Sequence, residues 1–149
     1  MANIPVEMEQ AIGFNIQRVF VLLRRELHRA LAEFDLTSEQ WLVLIALLHS
    51  KERLNQSDLS EICLKDCPTI TRMLQVLERD GWITRFRDKN DARTVLIETT
   101  DKVRKMKATV KLKLSEVHKK VFSDLSVDQE EELLVLLKLL RKGFGDKVM

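Results

Sequence analysis

The chain is poor in the residues that interrupt regular structure. Its 149 residues include 4 glycines and 2 prolines, which leaves little room for a long structureless loop. With 2 cysteines there is no basis for a disulfide framework, and a reducing compartment is expected. The longest apolar runs, such as WLVLIALL, fall far short of a membrane span. The opening MANIPVEMEQAIGF lacks the basic segment and apolar core of a secretory signal. These absences predict a cytoplasmic protein with no membrane partner. Missing too are a glycine-rich phosphate loop, a nucleophile elbow and a paired-carboxylate cleft, so no enzyme is expected. His28, His49 and His118 stand far apart and the cysteines have no matching Cys/His pair, so neither a metal nor a cofactor is expected.

Charge of one sign is scarce as well. The formal net charge is +2, which is weak support for a polyanionic partner. Its distribution says more. Residues 1–50 hold 4 Lys/Arg against 6 Asp/Glu, residues 51–100 hold 9 against 9, and residues 101–149 hold 12 against 8. Any basic surface must therefore come from local clusters or from folding.

What is present is apolar periodicity. Hydrophobic residues make up 45% of the chain, enough for a true core. Met8, Ile12, Ile16, Val19, Leu23, Leu27, Leu31 and Phe34 recur at helical spacing and predict one long first helix. Phe20 and Ala30 widen its apolar face, as expected of a central core helix or of one that also packs on a second subunit. LTSEQW predicts a helix start, with Thr37 as cap, Gln40 closing a capping box and Leu36 stapled onto Trp41. Leu54 can form a very short strand, and Asn55 or Ser57 can cap the two-turn helix that follows. Asp66 or Cys67 can cap the next helix, PTITRMLQVLERDG, which should bury Ile70, Met73, Leu74 and Leu77 and stop at Gly81.

The period then changes to that of a strand. WITRFR alternates, with Ile83, Arg85 and Arg87 on one face and Trp82, Thr84 and Phe86 on the other. DKNDA is turn chemistry, and RTVLIET is β-branched enough to be a return strand. Thr100 can cap a long helix with Val103, Met106, Val110, Leu114, Val117 and Val121 on one face. Ser126 and Gln129 form another capping box before a last helix carrying Leu133, Leu136, Leu137 and Leu140.

Helix, turn, helix and hairpin, in that order, suit duplex DNA. A helix in the major groove needs polar side chains near its N-terminus and an apolar opposite face. Opposite Ile70 and Leu74 stand Pro68, Thr69, Thr71, Arg72 and Gln75. Threonine can donate to phosphate or touch a thymine methyl, arginine can pair with guanine and glutamine with adenine. In the hairpin, Arg85, Arg87, Lys89 and Arg93 crowd into nine residues with Asp88 and Asp91 among them. The competing reading is a solvated helix beside an ordinary charged hairpin.

DCPTITRMLQVLERDGWITRFRDKNDARTVLIETT resembles the winged-helix core of the MarR family of bacterial transcription regulators. Thr69 to Arg72 has the family's Thr-x-x-Arg spacing. Leu77, Glu78 and Gly81 match its helix end, Asp91 and Arg93 its Asp-x-Arg wing, and Arg85 a basic strand position. The family often carries Leu-Thr-x-x-Gly after the return strand, where this chain has Thr99, Thr100 and Val103.

The resemblance implies a mainly α fold with a small β-hairpin. A winged helix-turn-helix DNA-binding domain would span residues 36–100, and a helical dimerisation region residues 1–35 and 101–149. It implies a homodimer acting as a repressor on a pseudo-palindromic operator. Release would come from a small aromatic or phenolic effector bound between the dimer helices and the winged lobe. Trp41 and His28 are candidates to line that pocket, against a core role for both. In the wing, Arg93 would reach the minor groove or its phosphates while Asp91 holds the tip, and Arg85, Arg87 and Lys89 would face phosphate along the arm.

Three further features stay open. The basic run from Lys102 to Lys120 is either a solvated face or, through Lys102, Arg104 and Lys105, an extension of the DNA-facing potential. Cys67, at a helix start beside Lys65, suits a redox-responsive regulator. The bland alternative is that Cys63 and Cys67 are both small buried residues. With no tyrosine and no N-terminal cysteine the chain lacks the pattern of the family's peroxide-sensing branch. The rival class is a helical interaction module whose winged helix binds protein.

Overall fold

The computed structural model describes residues 3–146. The first helical stripe is not continuous. A single turn, α1 (Val6–Glu9), is followed by an extended Ala11 and then by α2 (Ile12–Leu31). The Asn15 side-chain amide donates to the carbonyls of Glu9 and Ala11 at 2.7 and 2.9 Å and holds the break in place. A 3-10 turn, Ala32–Phe34, ends at Asp35, which takes the left-handed conformation at φ 54°.

Helix α3 (Ser38–His49) starts as its sequence predicts. Thr37 accepts from the Gln40 amide, and the Gln40 side chain returns the bond. Strand β1 (Leu54–Asn55) leads to α4 (Gln56–Cys63), with Asn55 as the cap, and Asp66 caps α5 (Cys67–Arg79). Strands β2 (Ile83–Arg87) and β3 (Val95–Thr99) form the hairpin. Helices α6 (Asp101–Val121) and α7 (Val127–Gly143) complete the chain, and the Ser126–Gln129 capping box opens α7.

The sheet is antiparallel in the order β1-β3-β2, with Ile97 of β3 opposite both Leu54 and Arg85. Around it lies one core. Trp41, Val43 and Leu44 of α3 meet Leu59 and Cys63 of α4, Ile70, Leu74 and Leu77 of α5, and Ile83 and Ile97 of the sheet. Leu31, Phe34 and Leu36 close it from the first helices, and Val103 and Val110 from α6. Met73, predicted to be buried, is only partly so. Trp41 takes the core role; His28 is exposed on α2.

The ends of the molecule are different. Ile12, Ile16, Val19 and Phe20 of α2 are exposed, and α7 buries no residue, although Leu133, Leu136, Leu137 and Leu140 line it. Among the described residues no helix is long and apolar enough to cross a membrane.

Candidate nucleic-acid interface

Helix α5 is placed by its own N-terminus and by α4. The Thr69 amide donates to Asp66 Oδ1 at 2.7 Å. Hydrogen bonding from Thr69 holds the Asp66 carboxyl below the ordinary carboxylate range. Ile70, Leu74 and Leu77 anchor the inner face. On the outer face Pro68, Arg72 and Gln75 are exposed and Thr69 is half-buried.

Thr71 is not free for a partner. Its hydroxyl donates to the Cys67 carbonyl at 2.8 Å and accepts from Gln56 Nε2 at 2.7 Å. Gln56, which the sequence did not single out, thus pins α4 to the first turn of α5. Its partner lies 15 residues further on, beyond the reach of any local pattern.

The cysteines part company. Cys63 is buried, and burial pushes its thiol up from the usual range. Cys67 is exposed at the first residue of α5, 3.4 Å from the Ser60 hydroxyl that donates to it, so the reading of both as buried residues fails for Cys67.

At the wing tip, both oxygens of Asp91 are used. Oδ1 accepts from the Arg93 amide and Oδ2 from the Thr94 hydroxyl, each at 3.0 Å. The Thr94 amide donates to the Asp91 carbonyl and the Asp88 amide to the Thr94 carbonyl, both at 2.9 Å. Asp91 therefore shapes the tip through backbone and hydroxyl, not through a guanidinium. Arg93 and Lys89 are exposed and make no side-chain bond among the described residues.

The other two wing cations are committed. Arg87 Nη1 donates to the Ala92 carbonyl at 2.9 Å, across the tip. Arg85 does not extend along the arm as expected. Its side chain is mostly buried, and Nε lies 3.0 Å from Glu78 Oε2 of α5. Nε and Nη2 are shielded from solvent without an aligned hydrogen bond, so the pair is a close ionic contact that ties β2 to α5. Arg53, also missed, lies 3.4 Å from Glu98 and 5.3 Å from the Phe86 ring centre, and covers the outer sheet.

Part of the basic run on α6 is paired. Arg104 meets Asp101, Lys113 meets Glu33 and Lys120 meets Glu26. Lys102, one of the cations left open between a solvated face and the DNA-facing potential, donates to the Asp80 carbonyl at 2.8 Å and lies 3.9 Å from the Trp82 ring centre. Thr100 occupies the α6 cap position but makes no side-chain cap bond; its hydroxyl donates to the Gly81 carbonyl at 2.7 Å. Among the described residues no group of three or more His, Cys, Asp or Glu side chains could hold a metal.

Two helices across a tight turn, followed by a hairpin with a braced, basic tip, define a winged helix-turn-helix. The model of the MarR family matches residues 36–95. The HTH-type transcriptional regulator SarZ of Staphylococcus saprophyticus is 34% identical over 103 residues, which is 69% of this chain and 67% of that protein. The curated relatives are thus spanned over about two thirds of their length. Wild-type MarR from E. coli, in its apo form, superposes with a TM-score of 0.74 at 26% identity, covering 93% of this chain and 98% of that one. A mutant of the same protein complexed with operator DNA superposes with a TM-score of 0.81 at 24% identity, over 93% of this chain and 99% of that one. The chain belongs to the MarR family of transcription regulators, which are not enzymes.

Proposed function

We propose that the chain is a sequence-specific repressor that binds a pseudo-palindromic operator in duplex DNA as a homodimer. The carrying observation is the wing tip: Asp91 fixes the backbone on both sides of Arg93 and leaves that guanidinium exposed. A tip whose backbone is already fixed adds little ordering cost when its exposed cation meets a phosphate or a groove edge. Arg72 and Gln75 are the base-reading candidates on α5, with Pro68 and Thr69 near the backbone. Thr71 serves by holding the helix. Arg87 and Lys89 add phosphate contacts, and Arg85 acts by bracing the wing.

Residues 36–100 make up the DNA-binding domain, and residues 1–35 and 101–149 the dimerisation region, in this proposal. The bare apolar stripes of α2 and α7 support it, since exposed apolar surface of that extent marks an interface. Two protomers would set their α5 helices about one DNA turn, roughly 34 Å, apart. A small aromatic or phenolic effector is proposed for the space between the dimer helices and the lobe.

The test is binding to duplexes selected from a random pool, measured over a salt series. A steep fall of affinity with salt is expected, and Arg93→Ala should weaken binding by about ten-fold or more. Wild-type affinity in Arg93→Ala at physiological salt refutes the wing assignment. A flat salt dependence points to the protein-binding alternative.

A further inference from the structure

Three consecutive carbonyls follow α5, those of Asp80, Gly81 and Trp82, and all three accept from Thr100, just before α6, or from Lys102 in its first turn. Lys102 Nζ donates to Asp80 at 2.8 Å, the Thr100 hydroxyl to Gly81 at 2.7 Å and the Thr100 amide to Trp82 at 3.0 Å. A helix end leaves such acceptors without intrahelical donors. Gly81, at φ 76°, makes the reversal that presents them, a conformation open to glycine at little cost. The Lys102 ammonium also sits over the buried Trp82 ring at a cation–π distance of 3.9 Å.

Thr100 makes no side-chain bond to its own helix. Lys102 stands beside the wing base, yet its charge is spent on a carbonyl and a ring.

We propose that Thr100 and Lys102 clasp α5 to α6 so that the two move as one unit, with Lys102 the positioning residue. Through the clasp the orientation of α6, which also packs on α2, sets the angle and spacing of the two α5 helices on DNA. Lys102 does this without contacting phosphate. The positioning role rests on the reading above, that the chain binds DNA as a dimer; the clasp itself does not.

Four full-length proteins test it: wild type, Lys102→Met, Lys102→Arg and Thr100→Val. Amide exchange without DNA comes first. Lys102→Met should speed exchange at Gly81, Trp82 and Thr100 by about five-fold, with Arg restoring protection. Thr100→Val should act in the same direction and serves if Lys102→Met fails to fold. Unchanged exchange in both variants overturns the clasp, whatever the wild type does with DNA.

Binding is then compared on the selected duplex and on versions with the half-site spacing changed by one base pair. Lys102→Met should weaken binding at the native spacing by about ten-fold, blunt the discrimination between spacings and keep the wild-type salt slope. Lys102→Arg should recover all three. A slope reduced by about 0.9 per protomer with spacing discrimination intact makes Lys102 a phosphate contact and overturns the proposal. A wild type that shows the exchange pattern but binds no duplex retires the DNA reading, and the positioning role with it, while the clasp stands.

Discussion

Helices α5 and α7 carry comparable apolar residues and put them to opposite use. In α5, Ile70, Leu74 and Leu77 are fully buried within the lobe. In α7, Leu133, Leu136, Leu137 and Leu140 are all exposed, and the helix buries nothing of its own. The lobe thus completes its core within one chain, whereas α7 presents a stripe that one chain leaves bare. Composition cannot tell these cases apart. What differs is whether neighbouring elements return to cover the stripe.

Leu74→Ala should have the largest effect on folding, a loss of about 2–5 kcal/mol from a fully packed site, read by denaturant unfolding. Leu137→Lys should change protomer unfolding by no more than about 0.5 kcal/mol, as befits an exposed position. It should instead shift sedimentation towards the monomer and weaken operator binding with it. If both substitutions were to unfold the chain alike, the contrast between the helices would be lost.

The wing sharpens the comparison from another side. Asp91→Ala makes the chain more positive, so pure charge attraction would tighten DNA binding. Loss of the bonds to Arg93 and Thr94 should instead weaken it by about five-fold, corresponding to about 1 kcal/mol, in an anisotropy titration. Tighter binding would mean that Arg93 needs no bracing.

The smallest effect concerns the start of α5. The folded-state pKa of Asp66 is lowered, so its stabilising contribution is fully present above the unfolded carboxylate value. It is lost as pH falls through the folded value, which lies below that of an ordinary aspartate. Asp66→Asn should therefore lower stability slightly near neutrality, where the carboxylate contributes, and flatten the acid side of the unfolding profile.

Local signals in the sequence were reliable because their partners are local. Thr37 with Gln40 and Ser126 with Gln129 are bonds three residues apart, and both capping boxes form as the spacing predicts. The hairpin was legible from alternation and turn residues, and Asp91 from its place two residues before Arg93. The break before α2 was not, since the apolar stripe runs through it and only Asn15, reaching back six residues, marks it. At the candidate interface, Pro68, Arg72 and Gln75 on α5 and Lys89 and Arg93 on the wing lie exposed as expected, with Thr69 half so. Thr71 and Arg85 were misread because each is taken up by a group distant in the chain or turned inward, and the bond of Lys102 to the Asp80 carbonyl had no local signal.

From α3 onward the sequence by itself determined the order of elements, and with it the two capping boxes, the wing and the family, because these depend on residues within a turn or a hairpin of one another. Only the tertiary structure decided which cations remain free. Glu78 holds Arg85, the Asp80 carbonyl and the Trp82 ring hold Lys102, and the Gly81 carbonyl takes the hydroxyl of Thr100. For these side chains the acceptor within about 3 Å is supplied by how elements pack and not by neighbours in sequence.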